Sequence, residues 1–245
     1  MKKPIESSIT VIVPAYNEER DLRATVEGAN EILIELFKDY EILIFDDCST
    51  DRTGEIADAL AKNNKKINVF HNKTNMGFGY NNRKGMEIAK KGYFIGIPGD
   101  NEVEPSSIRS ILEHVGESDI IIPFIANKKV RPLLRRIIAI SYISILNLLF
   151  GLNLKQYTGL MVYKTALLKQ IKVRTNSFAY QAEILLPLVK RGYSYKEVPM
   201  IIKNTDKTTL LRLKNIIGVL ITILRLFFEI NFSLNKSKVN KKTFG

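Results

Sequence analysis

Residues 40–70 read YEILIFDDCSTDRTGEIADALAKNNKKINVF, and this stretch decides the fold class. It opens on an apolar run over 40–45. The run is short and rich in Ile, Leu and Phe, as a strand covered on both faces should be. Ser49-Thr50-Asp51 then offers N-cap chemistry to a helix-like stretch over 53–63. A second apolar run follows over 67–70. Strand, helix and strand joined by short connections form a parallel βαβ unit.

The same alternation extends on both sides. Further apolar runs lie at 9–13, 93–97 and 119–124, with helix-like stretches at 20–37, 80–90 and 105–115. Pro105 followed by two serines suits the opening turn of the last of these. The expected fold is an α/β, doubly wound, mostly parallel sheet flanked by helices. Ligands on such sheets bind beyond the carboxyl ends of the strands.

Composition narrows the classes. The chain has 245 residues, 45% hydrophobic and 25% charged, which suits one large α/β domain and excludes a disordered chain, a collagen-like fibre and a disulfide scaffold. Cys48 is the single cysteine, so no intrachain disulfide forms and a reducing compartment is expected. Residues 1–8 have no apolar core after their lysines, so no secretory signal is expected. The net charge of +12 calls for an anionic partner: nucleic acid, an acidic membrane surface or a phosphorylated substrate.

The alternation stops at residue 128. Lys128, Lys129, Arg131, Arg135 and Arg136 precede a nearly uncharged run over 137–154, interrupted by Ser141, Tyr142, Ser144 and Asn147, so it is not a clean transmembrane span. A strand is expected at 158–163, a helix at 180–190, and a strand at 194–199 ended by Pro199. Residues 203–245 carry nine Lys or Arg against Asp206 and Glu229. Within them 216–230 is apolar but short of the ~20 residues needed to span a bilayer. It reads as a basic amphipathic helix lying in a membrane interface, with a core-facing helix as the alternative. The domain division expected is 1–202, carrying interface helices within 128–154, and a tail over 203–245.

Four constellations sit at strand ends. Pro14 ends the first strand, Tyr16 can stack on a base or sugar, and Glu18 can accept from ribose hydroxyls; otherwise this is a polar turn with Asn17 as a helix N-cap. Asp46 and Asp47 end the second strand and suit a base N–H or a ribose. Asn75 and Gly77 precede a helix whose opening favours negative charge. Gly99, Asp100 and Glu102 follow the fourth strand. Asp100 and Glu102 are two hard oxygen donors which, beside a diphosphate, suit Mg²⁺ or Mn²⁺.

In order and spacing these stretches resemble glycosyltransferase family 2, whose nucleotide-sugar-binding domain is called GT-A. VPAYNEE (13–19), DDCSTDRT (46–53), NMGFGYNNRKGMEIAKKGYFIGIPGDNE (75–102), YTGLMVYK (157–164) and FAYQAEILLPLVKRGYSYKEVP (178–199) carry the resemblance. It is closest to the branch acting on polyprenyl (dolichyl or undecaprenyl) phosphate, and RRIIAISYISILNLLFG (135–151) looks like that branch's pair of interface helices.

The resemblance implies roles. Pro14, Tyr16 and Glu18 match residues that hold the nucleoside, and Asp46 and Asp47 match the pair on base and ribose. Asn75 and Gly77 match a turn near the diphosphate, and Gly99 belongs to the same nucleotide-sugar set. Asp100 matches the last Asp of an Asp-x-Asp metal motif, with Glu102 as a second ligand. Arg135 or Arg136 falls where the branch puts an arginine for the acceptor phosphate, and Lys207 can meet a phosphate. The implied reaction is a single inverting displacement at the anomeric carbon, using a GDP- or UDP-linked sugar and Mg²⁺ or Mn²⁺, at the cytoplasmic face of a membrane, by a peripheral or monotopic protein.

The chain departs from the family pattern in three places. Pro98 replaces the first metal-motif Asp. Ile122-Pro123-Phe124 replaces a Gly-Ser-Arg stretch, with Lys128, Lys129 or Arg131 as substitute cations. Residues 204–209 reduce an Arg…Ser-Lys element. Around Gln181-Ala182-Glu183 there is no Glu-Asp pair to serve as a base, which favours an acceptor already anionic. A hydroxyl of a glycan or cell-surface polysaccharide is the alternative acceptor. Nucleic-acid binding is disfavoured because no such motif appears.

Overall fold

The computed structural model describes residues 5–175, 179–203, 218–219 and 221–230. Lys207, most of the basic tail and residues 1–4 lie outside them.

Seven strands form one sheet in the order β3-β2-β1-β4-β6-β5-β7. The first four are β1 (Ile9–Ala15), β2 (Tyr40–Asp46), β3 (Ile67–His71) and β4 (Tyr93–Gly96). The rest are β5 (Ile120–Ile125), β6 (Val162–Lys164) and β7 (Tyr195–Met200). Pairing is parallel throughout except at β6, which runs antiparallel to both β4 and β5. The helices are α1 (Leu22–Leu36), α2 (Thr53–Asn63), α3 (Phe78–Ile88), α4 (Pro105–Leu112), α5 (Leu133–Phe150), α6 (Thr165–Leu168) and α7 (Tyr180–Lys190).

Alternation along each strand builds two core layers. Ile9, Val11, Val13, Ile42 and Ile44 face α1, α2 and α4, packing with Leu22, Val26, Leu33, Ala57 and Ile111. Ile12, Leu43 and Phe45 face the other way, onto Met86 of α3, Leu146 and Phe150 of α5, and Leu185 and Leu188 of α7. Gly85 of α3 marks the closest approach of helix to sheet. A Cβ there would lie 2.5 Å from Ile12 Cγ2. Gly→Ala in a helix ordinarily gains about 0.5–1 kcal/mol, but overpacking a rigid core costs about 1–3 kcal/mol. Gly85→Ala is therefore expected to destabilise, lowering the urea midpoint without changing the slope.

Several boundaries differ from the sequence reading. β1 runs through Pro14 to Ala15 rather than stopping at the proline. The Pro14 carbonyl accepts from Gly99 N on the β4 side (3.0 Å), so its missing N–H also faces that side, where the β1–β4 ladder has already ended at Ile12. The β1–β2 ladder, which continues to Ala15 and Asp46, loses no bond. Likewise β7 continues past Pro199 to Met200. Asn17 does not cap α1, whose first turn follows Asp21. The expected strand at 158–163 shrinks to Val162–Lys164.

Residues 128–154 hold a short 3-10 turn, Lys128–Val130, and one continuous 18-residue helix, α5, rather than a pair of helices. Asn147 explains the polar break in its sequence. Its amide bonds both the N–H and the C=O of Leu154, and it accepts from the Tyr157 hydroxyl (2.7 Å), tying down the chain that leaves α5. One stripe of α5, with Leu146 and Phe150, packs on the core. The opposite stripe leaves Leu134, Ile137, Ile138, Ile145 and Leu148 exposed. The helical segment 221–230 lies in the same layer: Ile223, Leu226 and Ile230 are buried, as a core-facing helix requires, while Ile221, Leu224 and Phe228 are exposed.

Candidate active site

β2 and β3 lie on one side of β1, and β4 on the other, so the sheet has its topological switch point between β1 and β4. Beyond their last ladder pair, Ile12 and Gly96, the two chains stay joined by Ile97 N–H on Ile12 O (2.8 Å) and Gly99 N–H on Pro14 O (3.0 Å), and the loops that follow them flank the strand ends where such sheets bind ligands. Gly99 sits against β1, where a Cβ would lie 3.1 Å from that of Ala15.

The loops after β1 and β2 are braced together. Asn17, in the left-handed region at φ 56, accepts from Thr50 N (2.8 Å), and Asn17 N donates to Ser49 Oγ. Glu18 N donates to Thr53 Oγ1 (2.8 Å), and Glu19 N to Asp51 Oδ2 (3.2 Å). Asp51 also accepts from Thr53 N and its hydroxyl, opening α2 in the manner of a cap and lowering the Asp51 pKa against the effect of its burial. Directly after β1, Tyr16 is 47% exposed and offers an aromatic face to solvent.

Both aspartates at the end of β2 are buried and engaged. Asp46 accepts from Ser49 N through Oδ1 and contacts His71 Nδ1 through Oδ2 (2.9 Å). Asp47 accepts from the Asn72 amide (2.7 Å) and Met76 N (2.8 Å) on one oxygen and from Gly77 N (2.7 Å) on the other. The negative charge that the opening of α3 favours is thus supplied by Asp47 itself. Its carboxylate shapes the loop carrying Asn75 and Gly77.

Asp100 and Glu102 follow β4, the strand on the other side of β1 from β2. Asp100 Oδ1 accepts from Glu102 N (3.1 Å). The turn is pinned by Lys203, whose N–H donates to Glu102 O (2.7 Å) and whose ammonium donates to Asn101 Oδ1 (2.9 Å). Glu102 turns toward two arginines: Arg131 Nη2 at 3.3 Å and Arg135 Nη2 at 4.0 Å. Three guanidinium groups gather around the start of α5, and Nε of Arg131, Nε and Nη1 of Arg135 and Nε of Arg136 are all buried without a hydrogen-bond partner. Burial, followed by the neighbouring Arg135 charge, lowers the Arg131 pKa. Orphaned buried donors cost about 1–3 kcal/mol each, and more when charged, so an acceptor placed against these nitrogens would relieve that cost.

Glu183, at the start of α7, is buried. It accepts from Arg174 N and Thr175 N (3.0 Å each) and pairs with Arg225 of segment 221–230. Its basic partner is thus Arg225. Sequence reasoning missed three residues here. Lys203 read as one more tail charge. Gln181 exchanges two hydrogen bonds with the Gly159 backbone (2.8 and 2.7 Å), holding the 157–161 turn. His71 carried one signal, a histidine placed where an apolar strand ends.

The order of these elements along the chain is the decisive observation. The sequence description of one family, "Glycosyl transferase family 2", matches residues 10–171, which contain β1 but for its first residue, β2 to β6 and every strand-end carboxylate above. The chain belongs to glycosyltransferase family 2. Among proteins similar to this family member, GlyG of Streptococcus pneumoniae is 32% identical over 111 residues. That match covers 45% of this chain and 36% of GlyG, so the chain spans about a third of that relative's length. The undecaprenyl-phosphate mannosyltransferase of Micrococcus luteus is 26% identical over 203 residues, covering 78% of this chain and 82% of that protein. Glucosyl-3-phosphoglycerate synthase from Mycobacterium tuberculosis, solved with UDP, superposes with a TM-score of 0.67 at 15% identity over 91% of this chain and 80% of its own. Another structure of that synthase holds Mn²⁺, UDP and glucosyl-3-phosphoglycerate. The superposition establishes the GT-A-type fold of this family 2 member.

Proposed function

We propose that this chain transfers a sugar from a nucleotide sugar to the phosphate of a polyprenyl phosphate at a membrane surface, with inversion at the anomeric carbon. The observation carrying this reading is the cluster of Arg131, Arg135 and Arg136. Arg131 and Arg135, each with buried donors that lack a partner, lie beside Glu102 after β4, and Arg136, with a third such donor, follows at the start of α5, the helix that carries the exposed apolar stripe. A lipid phosphate joins those two chemistries in one molecule: an anion for the guanidinium groups and a hydrocarbon chain for Leu134, Ile137 and Leu148. The coverage of the Micrococcus luteus relative supports the same acceptor class.

Tyr16, Glu18, Asp46 and Asp47 form the nucleoside side of the site in this reading, and Asn75, Gly77 and Gly99 line the diphosphate side; Lys207, outside the described residues, is assigned to a phosphate by the family resemblance alone. Among the described residues no group of three or more His, Cys, Asp or Glu is gathered to hold a metal ion. Mg²⁺ ordinarily takes one or two protein carboxylates and fills its octahedron with phosphate and water oxygens, so Asp100 beside a diphosphate fits a cation held partly by the substrate. Glu102, facing Arg131 and Arg135, is the weaker ligand of the two. A bound Mg²⁺ or Mn²⁺ offsets charge on the departing nucleoside diphosphate. Arg131, Arg135 and Arg136 orient the acceptor phosphate, whose oxygen needs no deprotonation before attack. Consistent with this, the Glu183 carboxylate is engaged by two backbone N–H groups and Arg225, and is not placed to act as a base.

Arg135→Ala tests this assignment. It is expected to raise the KM for polyprenyl phosphate at least about 10-fold, the loss of one charge-assisted contact of ~1.5 kcal/mol or more, with the donor KM changed less than twofold. An effect confined to the donor KM would move the arginine cluster to the nucleotide diphosphate.

A further inference from the structure

His71 closes β3, and its ring stands between two carboxylates. Nδ1 lies 2.9 Å from Asp46 Oδ2 and Nε2 lies 3.1 Å from Asp58 Oδ1. An imidazole with a carboxylate on each nitrogen makes both bonds only when both nitrogens carry protons. The hydrogen bond to Asp46 is the leading cause that raises the His71 pKa above its usual value; burial opposes it and Asp58 adds to it. The charged groups facing the ring are Asp46 from β2 and Asp58 from α2. Its chain neighbours Phe70 and Asn72 are uncharged, and Gly54 of α2 packs so closely that a Cβ there would lie 3.0 Å from Asp46 Oδ2 and 3.5 Å from His71 Cε1. Phe70 stacks on Phe45 at 5.0 Å, fixing the end of β3 against β2.

We infer that His71 is a positioning residue for the donor pocket: as an imidazolium it locks the Asp46 carboxylate in place across β2, β3 and α2, and nucleoside diphosphate affinity falls when the ring loses its proton. This rests on the reading that Asp46 lines the nucleoside pocket. The neutral ring keeps one donor for two carboxylates. Either Asp46 faces a lone pair, or Asp58 does and the bond to Asp46 weakens to that of an uncharged donor. Asp58, 66% exposed, can turn to water; Asp46, at 9%, cannot. The sign follows: the clamp is complete below the raised pKa and is lost as pH rises through it.

The chain has two histidines, so both ring titrations are readable by proton NMR, with His71 assigned from the spectrum of His71→Gln. Calorimetric binding of UDP and GDP between pH 6 and 9 supplies the affinities. For whichever nucleotide binds, Kd is expected to rise about 3- to 10-fold across the His71 midpoint. His71→Gln should flatten that profile at the weaker affinity. Asp58→Asn, at an exposed position that leaves the fold intact, should move the NMR midpoint and the Kd profile together toward lower pH, with kcat at saturating donor unchanged. A wild-type Kd at every pH in His71→Gln, or an Asp58→Asn profile that stays put while its NMR midpoint moves, overturns the inference. Asp46→Asn separates the two readings. If it leaves Kd unchanged, the pocket assignment fails and the inference with it. If it weakens binding while the His71 and Asp58 variants do not, the inference alone fails.

Discussion

Asp100→Ala is expected to reduce turnover by about 10³-fold or more, the scale of a lost electrostatic contribution at the reacting centre. The fold should be untouched. The turn that carries Asp100 is held independently by Lys203, through Glu102 O and Asn101 Oδ1, and by the Gly99 N–H on Pro14 O. Circular dichroism and thermal unfolding of the variant should therefore match wild type. Chelation by EDTA should reproduce the loss in the wild-type protein, and added Mg²⁺ or Mn²⁺ should restore it. Glu102→Gln is expected to behave differently. Because Glu102 faces Arg131 and Arg135, its loss frees two guanidinium groups and should act chiefly on the acceptor KM. Full activity in EDTA would remove the cation and leave the arginine cluster as the main counter-charge to the diphosphate.

The second large effect concerns the membrane. Leu134, Ile137 and Leu148 share one stripe of α5 and are 58%, 52% and 83% exposed. Burying such side chains gains roughly 1.5–3 kcal/mol each, so replacing all three with Glu should abolish flotation with anionic liposomes. The fold should survive, since the buried stripe of α5 is elsewhere. Removing the chain beyond Lys203 is a less clean test. Ile223, Leu226 and Ile230 belong to the core layer on α7, and Arg225 pairs with buried Glu183, so truncation uncovers the core as well as stripping charge. Flotation of wild type that weakens with salt would point to the basic residues, worth ~1 kcal/mol each near an anionic leaflet. Flotation that resists salt but fails in the triple variant would assign the binding to the apolar stripe.

The sequence was most legible where local pattern and strand end coincide. Unbroken Ile- and Phe-rich runs give the parallel strands, and the carboxylates after β2 and β4 stand out because such ends carry chemistry in this architecture. What stayed hidden is non-local. β6 inserts antiparallel between β4 and β5 after a long excursion, and three residues of pairing leave little periodicity to read. Pro14 looked like a stop because its missing N–H is usually needed; it is tolerated because that N–H would face the β4 side, leaving the β1–β2 ladder whole to Ala15. The polar interruptions of α5 argued against a clean transmembrane span without saying what they do; Asn147 is turned inward to hold Leu154 and Tyr157. Asp47 read as a residue for a ligand, and its three N–H donors, from Asn72, Met76 and Gly77, come from a loop whose path no spacing rule gives. His71 joins Asp46 and Asp58 only once β2, β3 and α2 are assembled.

A product assay decides whether the acceptor is a lipid phosphate. Purified protein is incubated with Mg²⁺ or Mn²⁺ and radiolabelled UDP- or GDP-linked sugars, with polyprenyl phosphate in anionic vesicles or with soluble glycans. Transfer to a lipid phosphate gives a labelled product that partitions with lipid, forms only with polyprenyl phosphate, and releases its sugar in mild acid, as a glycosyl phosphate does. An acid-stable product formed on a glycan hydroxyl, with polyprenyl phosphate inert, would contradict it.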